Sequence, residues 1–492
     1  MVIRSLTLGV AAALLAACAV GPDYVRPTVP TSSEFAHASD AQAADIATGV
    51  EQAPADAPTP QADAEFWRGF NDPLLTRLVE ESLTANHDLR IALASYDRAN
   101  ALLRNARLDR FPTVTASATG SDSRASADQA PGVSRADRDG ESYSVQADVS
   151  WELDVFGRVR RGVESQRAEV WAAASDLDAL QVAIVGEVAR SYVELRGLQE
   201  RLRVAQENAE NQRETLNLVQ ARFDAGRGTE FDTSRARAQL ESTQARVPAL
   251  EAQVAVTMHR LAVLTGQTPD ALIAELTPLK PLPSLPSRLD PGSPGELLRH
   301  RPDVIAAEHR LHAATARIGV ATADLFPRFT LGGLIGSQAI DTSALFERDS
   351  ETRLAFLGID WSFLDIGRVR ARMAAANADA EGELARYQQS VLLALEDTEN
   401  ALVRFARARV EDRHLQQAAL DSATAARLAR VRYEAGAADL FEVLDAERTQ
   451  LNAQEAFADG RTRSASSAVA LYKALAGGWP TRVPVREEVA AR

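Results

Sequence analysis

Two long stretches of the chain carry apolar and small residues at alternating steps of three and four. In the first, Leu177, Leu180, Ile184, Val188, Ser191, Leu195, Leu198, Leu202, Ala205, Ala209, Gln212, Leu216, Val219 and Phe223 mark one stripe. Such spacing belongs to a coiled-coil seam rather than to a strand, whose period is two. No proline interrupts it, so one helix is expected from about Val159 to Phe223. At about 1.5 Å per residue it would run on the order of 95 Å, far beyond the needs of one globular domain. A second rod, alanine-rich and suited to close helix packing, is expected from about Val369 to Tyr433. Gly226 and Gly436 follow as turns that reverse each rod, because glycine tolerates the left-handed conformation that ends a helix. Returning helices are expected from Asp232 to about Leu264 and from Asp439 to about Leu475.

Before each rod the period changes to two. Phe111 to Thr119 and Tyr143 to Trp151 read as strands. In the second of these, Tyr143, Val145, Ala147, Val149 and Trp151 share one face, opposite Ser144, Gln146, Asp148 and Ser150. An apolar face backed by a polar one suits a membrane barrel with a wet lumen. Phe326 to Ile335 and Arg353 to Phe363 precede the second rod in the same way, and polar loops of roughly twenty residues are expected within each pair. After residue 20 no apolar run reaches the roughly 18 residues of a spanning helix, so a membrane crossing requires a closed β-barrel. Four strands fall short of the about eight that closure needs, so several copies must cooperate.

The two stretches are copies of one unit. Trp151-Glu-Leu-Asp-Val-Phe-Gly157-Arg-Val-Arg160 returns 210 positions later as Trp361-Ser-Phe-Leu-Asp-Ile-Gly367-Arg-Val-Arg370. Arg222-Phe-Asp-Ala-Gly226 returns at the same offset as Arg432-Tyr-Glu-Ala-Gly436, and Asp109-Arg-Phe-Pro112 matches Asp324-Leu-Phe-Pro327. A near-constant offset means a duplicated unit whose length changes lie in loops. The organisation read from the chain is a leader at 1–17, an extended tether at 18–64 and a first repeat at 65–276. A proline-rich connector at 277–296, a second repeat at 297–479 and a tail at 480–492 follow.

The first residues fix the compartment. Arg4 and the apolar run Leu6 to Ala17 suit an export signal and are too short to span a membrane. Leu15-Ala16-Ala17-Cys18 places the sole cysteine directly after small residues and looks like a bacterial lipobox, implying cleavage before Cys18 and acylation of its thiol. Ala19 is not the aspartate that retains many lipoproteins at the inner membrane. A single cysteine excludes an internal disulfide framework, and a net charge of −14 argues against nucleic acid as a partner. Glu308-His309 and His312 stand at helical spacing without a further ligand cluster and read as a solvated helix face, with no metal expected. No phosphate loop, GxSxG elbow or Ser/His/Asp arrangement is evident, so neither an enzyme nor a cofactor beyond the lipid is expected.

Several motifs in order carry a family resemblance over nearly the whole chain. Cys18-Ala-Val-Gly21-Pro22-Asp23-Tyr24-Val-Arg26-Pro27, Phe66-Trp67 with Phe70-Asn-Asp72-Pro73, Asn86-His-Asp88-Leu89, and Arg301-Pro302-Asp303-Val304 resemble the TolC-like outer-membrane efflux factors of NodT and OprM type. This resemblance implies a mainly α fold with a small β part, trimerising into a twelve-stranded barrel and a twelve-helix periplasmic tunnel. It also implies a periplasmic adaptor (membrane fusion protein) and an inner-membrane RND-type pump as partners. The chain would then conduct small molecules, drugs or other toxic compounds, passively to the exterior.

Related channels place carboxylates at the positions of Asp232, Glu442 and Asp445, near the periplasmic mouth, where threefold symmetry makes rings of three. Converging acids repel unless cations or arginines such as Arg448 compensate, and Phe441 adds an apolar constriction. The opposing reading is that these acids cap the returning helices. Where the TolC prototype carries a latch arginine this chain has Ala438. Gly226 and Gly436 are expected to leave room for an adaptor tip besides making the turn. A lipid-anchored coiled-coil scaffold or adhesin without a pore also explains rods and anchor, but not the strand pairs before both rods.

Overall fold

The computed structural model describes residues 19–30, 32–38, 65–284 and 292–475. The leader, Cys18 and the tail at 480–492 lie outside the described residues. In chain order the main elements are α1 (Pro73–Ala85), α2 (His87–Leu108), β1 (Thr113–Arg124), β2 (Asp139–Leu153), α3 (Arg158–Asp224), α4 (Glu230–Gln244) and α5 (Arg246–Leu264). They continue with α6 (Ile273–Leu276), α7 (Pro294–His300), α8 (Pro302–Ala323), β3 (Arg328–Ala339), β4 (Glu351–Asp360), α9 (Ile366–Glu434) and α10 (Leu440–Ala474). Both rods are single helices, 67 residues for α3 and 69 for α9. The order α2-β1-β2-α3 recurs as α8-β3-β4-α9.

Three element boundaries differ from those expected. The first returning helix is broken at Ala245, between α4 and α5, because Pro248 offers no N–H to the carbonyl of Gln244 and its ring crowds that position. The strands run further from the rods than their alternation suggested, so the joining segments shrink to residues 125–138 and 340–350. Trp361 and Phe363 fall beyond β4, which ends at Asp360.

The chain forms two compact units, and each combines pieces of both repeats. One holds Ser95–Ala174 and Ala306–Gln388 together with the N-terminal stretch through Thr28. Its sheet is antiparallel in the order β1-β2-β3-β4. Opposed residues share a face, and the register sets Val149 against Val114 and Gly333, Ala147 against Ala116 and Ile335, and Trp151 against Leu331. Leu331 in turn opposes Leu357, and Phe329 opposes Ile359. One face is therefore predominantly apolar. The other carries Thr113, Thr115, Ser117, Ser144, Gln146 and Asp148, interrupted by Leu334 opposite Leu354, and by Phe356 lying over Gly332. Every residue of β1 is exposed.

Where the strands meet the rods, the two repeats use the same contact. Trp151 Nε1 donates to Arg110 O at 3.0 Å, and Trp361 Nε1 donates to Leu325 O at 3.0 Å. These are the corresponding residues of the two Phe-Pro motifs. Exposed Phe111, Trp361, Phe363 and Leu364 gather at this end of the sheet, as aromatic side chains do at a lipid–water boundary.

The other unit holds Val29–Ala94, Ser175–Ile305 and Gln389–Arg492 in the chain. Its core seats Phe66, Trp67 and Phe70, each at most 2% exposed, with Phe66 stacked on Tyr472 at 4.6 Å. Here too the duplication repeats a contact. Asn86 caps α2 through its Oδ1 and donates Nδ2 to Leu264 O at 2.9 Å, tying off α5. Arg301, at the matching position, donates Nη1 to Ala474 O at 3.1 Å and to Ala394 O at 3.3 Å, tying off α10. Helix-end carbonyls have no intrahelical partner, so both motifs supply one. The connector is held likewise, with Gln199 donating to Leu276 O at 2.7 Å and Arg196 to Pro278 O at 3.0 Å.

Arg301→Ala strips two buried carbonyls of a charged donor, so a loss of about 2 kcal/mol is expected. Thermal unfolding followed by helical circular dichroism checks it; an unchanged midpoint would show that the tie contributes nothing.

Candidate functional site

The tips of the hairpins bring the sequence-predicted residues together. Each rod ends in the same motif. Gly226, at φ 73°, follows α3, with Gly226 N donating to Phe223 O at 2.9 Å and Arg227 N to Arg222 O at 2.8 Å. Gly436, at φ 75°, repeats it with Tyr433 O at 3.0 Å and Ala437 N to Arg432 O at 2.8 Å. These bonds satisfy the last carbonyls of each rod, and the left-handed backbone is why glycine stands there. Nothing lies within 4 Å of where a Cβ would sit on either residue.

Below the turns, Val219, Ala236, Tyr433, Leu440, Val443 and Leu444 form a small core that joins the two hairpins. The Arg222 guanidinium lies 4.3 Å over the Tyr433 ring, crossing from α3 to α9. Arg235 stands 5.4 Å from the Phe231 ring and 5.1 Å from the Phe441 ring. Both rings are exposed, Phe231 by 67% and Phe441 by 56%.

Asp232, Glu442 and Asp445 each have a partner within the protomer. Asp232 belongs to a capping box: its Oδ2 accepts from Thr229 N at 3.0 Å and Thr229 Oγ1 at 2.7 Å, while Thr229 Oγ1 accepts from Asp232 N. Glu442 is held by Arg432 at 3.2 Å, on a helix whose N-cap is Asp439. Asp445 meets Arg448 at 2.6 Å. Capping and pairing thus both operate at these positions. Exposed pairs of this kind contribute about 0–1 kcal/mol.

Residues 19–28, expected to lie in the extended tether, are built into the sheet-bearing unit. Val20 N donates to Phe156 O at 3.2 Å, and buried Arg161 donates to Asp23 at 2.6 Å. Tyr24 stacks on His312 at 4.5 Å and donates to Glu308 at 3.2 Å, while Arg26 pairs with Glu308 at 2.9 Å. His312 also bonds Glu164 at 2.9 Å. Burial alone would raise the Glu164 carboxyl, but hydrogen bonds from His312 and Arg161 outweigh it and hold it below its ordinary value. Glu308 and His312 are therefore half-buried beneath the N-terminal strap, and His309 is half-buried against Trp171, rather than forming the solvated face that their spacing predicts. Among the described residues no cluster suited to a metal occurs.

Comparisons with known proteins agree with this architecture. The family described as outer membrane efflux protein matches residues 78–267 and 293–477. The chain belongs to that family. It is 32% identical to outer membrane protein OprJ of Pseudomonas aeruginosa, over 97% of each chain. Identity to the solvent efflux pump outer membrane protein SrpC of Pseudomonas putida is 31%, over 95% of this chain and 96% of that protein. Among solved structures, the outer-membrane channel OprN aligns at a TM-score of 0.85 and 40% identity, covering 94% of this chain and all of that one. This outer membrane efflux protein is a mainly helical, twice-repeated protomer with four strands among the described residues, resides in the outer membrane, and is the channel component of an efflux system.

Gly226→Ala and Gly436→Ala are each expected to cost about 1 kcal/mol, from the left-handed backbone alone, since the added methyl meets nothing. Faster amide exchange at the turns, with the rods unchanged, is the expected signature; perturbed rods would mean that the turns also brace the rods.

Proposed function

We propose that three copies of this chain close one twelve-stranded barrel, with the helical hairpins prolonging it as a periplasmic tunnel gated at the tips. The observation carrying this reading is the sheet. It has one largely apolar face, a second face mostly polar, and edges at β1 and β4 that no other strand covers among the described residues. Twelve-residue strands run about 40 Å at about 3.3 Å per residue, and the tilt usual in barrels reduces that to roughly the height of the lipid core. No described helix is long and apolar enough to cross a membrane, so the sheet is the element suited to lipid.

The finer assignments follow from that frame. Cys18 is acylated and fastens the N-terminus to the membrane; the docked strap beginning at Ala19, which abuts Gly157 at the start of α3, supports this. A periplasmic adaptor engages the Gly226 and Gly436 turns, which are open to solvent, and an inner-membrane RND-type pump supplies the energy. The cargo is small molecules, drugs or other toxic compounds, moving passively. Asp232, Glu442, Asp445 and Arg448 line the aperture, with Phe441 narrowing it. The scaffold reading leaves the two-faced sheet without a role.

Single-channel conductance in planar bilayers tests the duct. The wild type is expected to conduct weakly, and Asp232→Ala/Glu442→Ala/Asp445→Ala several-fold more. Equal conductance would remove the gate from these residues, and no conductance from either folded protein would remove the duct.

A further inference from the structure

Exposed pairs and caps are weak restraints on a helical mouth, and a buried feature stands deeper along the same helices. On α3 buried apolar residues stand above, at Leu195, Leu198 and Val204, where buried Arg196 and Gln199 bond the connector, and again below at Val219. Between them, at steps of four and three, come Asn208, Gln212 and Thr215, each at most 3% exposed. Facing them, α10 buries Glu447 at 5% exposure within an otherwise apolar run of Leu440, Val443, Leu444 and Leu451. A polar layer thus interrupts the seam between α3, from the first hairpin, and α10, from the second.

The layer is only partly satisfied. Thr215 Oγ1 donates to Glu447 Oε1 at 2.6 Å, and Asn208 Nδ2 to Gln454 Oε1 at 2.8 Å. From α9, Arg430 spans the joint, donating to Asn211 O at 2.7 Å and to Thr215 Oγ1 at 2.9 Å, pairing with Glu214 at 3.1 Å and approaching Glu447 at 3.9 Å. Yet both polar atoms of the Gln212 side chain and Glu447 Oε2 have no hydrogen-bond partner among the described residues. Buried polar groups are normally paired, and an orphaned one destabilises the packing that hides it. Parting α3 from α10 would return these atoms to water, whereas parting the apolar levels exposes hydrocarbon. Opening is therefore least costly at this level.

We infer that the polar layer between α3 and α10, with Glu447 as its positioning residue, is the level at which the two hairpins of a protomer separate and admit water when the mouth opens, an inference that rests on the gated-duct reading above. The charged groups facing Glu447 are Arg430 from α9 and, through Arg430, Glu214 from α3. Burial pushes the Glu447 carboxyl above its ordinary value, with Thr215 and Arg430 pulling partly the other way. The closed packing accordingly favours the neutral acid. That stabilisation is fully present below the ordinary carboxylate pKa and is lost as pH rises through the raised one. Acid therefore closes the layer, and rising pH opens it.

The test is single-channel recording of the full-length protein from about pH 4 to about pH 8, for wild type, Glu447→Gln and Gln212→Leu. Wild-type conductance is expected to rise with pH. Glu447→Gln should remove the rise and stay at the low-pH level. Gln212→Leu, which replaces an orphaned amide by hydrocarbon, should lower opening by about fivefold or more, an ordinary size for such coupling, while raising the unfolding temperature. A flat wild-type profile overturns the inference without any variant, and so does an unaltered profile in properly folded Glu447→Gln. If the triple tip variant opens the pore while both layer variants behave as wild type, the duct stands and the layer alone is refuted.

Discussion

Unpaired backbone at a sheet edge governs this structure. Lipid offers no hydrogen-bonding partner, so every N–H and C=O placed in it must find one within protein. A four-stranded sheet satisfies its inner strands and, among the described residues, leaves β1 and β4 each with one bare side. An edge of twelve residues in β1, exposed throughout, would be an aggregation hazard in water. In the assembly proposed here that edge is covered, β1 of one copy against β4 of the next. Apolar residues aligned across β1, β2, β3 and β4 by their register then face outward together.

Duplication supplies the internal order. Because the chain carries its unit twice, each junction has been solved twice by the same device. Trp151 and Trp361 clamp the strand entries, Asn86 and Arg301 tie off the returning helices, and Gly226 and Gly436 close the rods. The copies differ where function would require asymmetry. Pro248 breaks the first returning helix and has no counterpart in α10. At the tips, Asp232 is spent on a capping box, whereas Glu442 reaches across to Arg432. Exposed pairs at the tips contribute little, and Thr215, Arg430 and Glu447 meet in a buried layer between the two hairpins.

Much of this was legible in the sequence, for physical reasons. A seam at steps of three and four from Leu177 to Phe223 leaves no rival to a helix, and the recurrence of Trp151-to-Arg160 at Trp361-to-Arg370 exposes the duplication directly. Strand ends were less visible, because Gly120 to Arg124 and Gly336 to Ala339 are small or polar and signal a loop until pairing claims them. Long-range contacts were invisible. Nothing near Tyr24 announces a ring stacked on His312, and Gln212 sat within the stripe without showing that Glu447 would face its level from α10. The tip acids were found by resemblance, and their partners, Thr229, Arg432 and Arg448, only by geometry.

Native mass spectrometry of the protein released from outer membranes in mild detergent tests the central claim most directly. Edge-to-edge closure predicts a single species of three chains that survives mild heating and separates only when the sheets unfold. A monomer, or two chains closing eight strands, would contradict it.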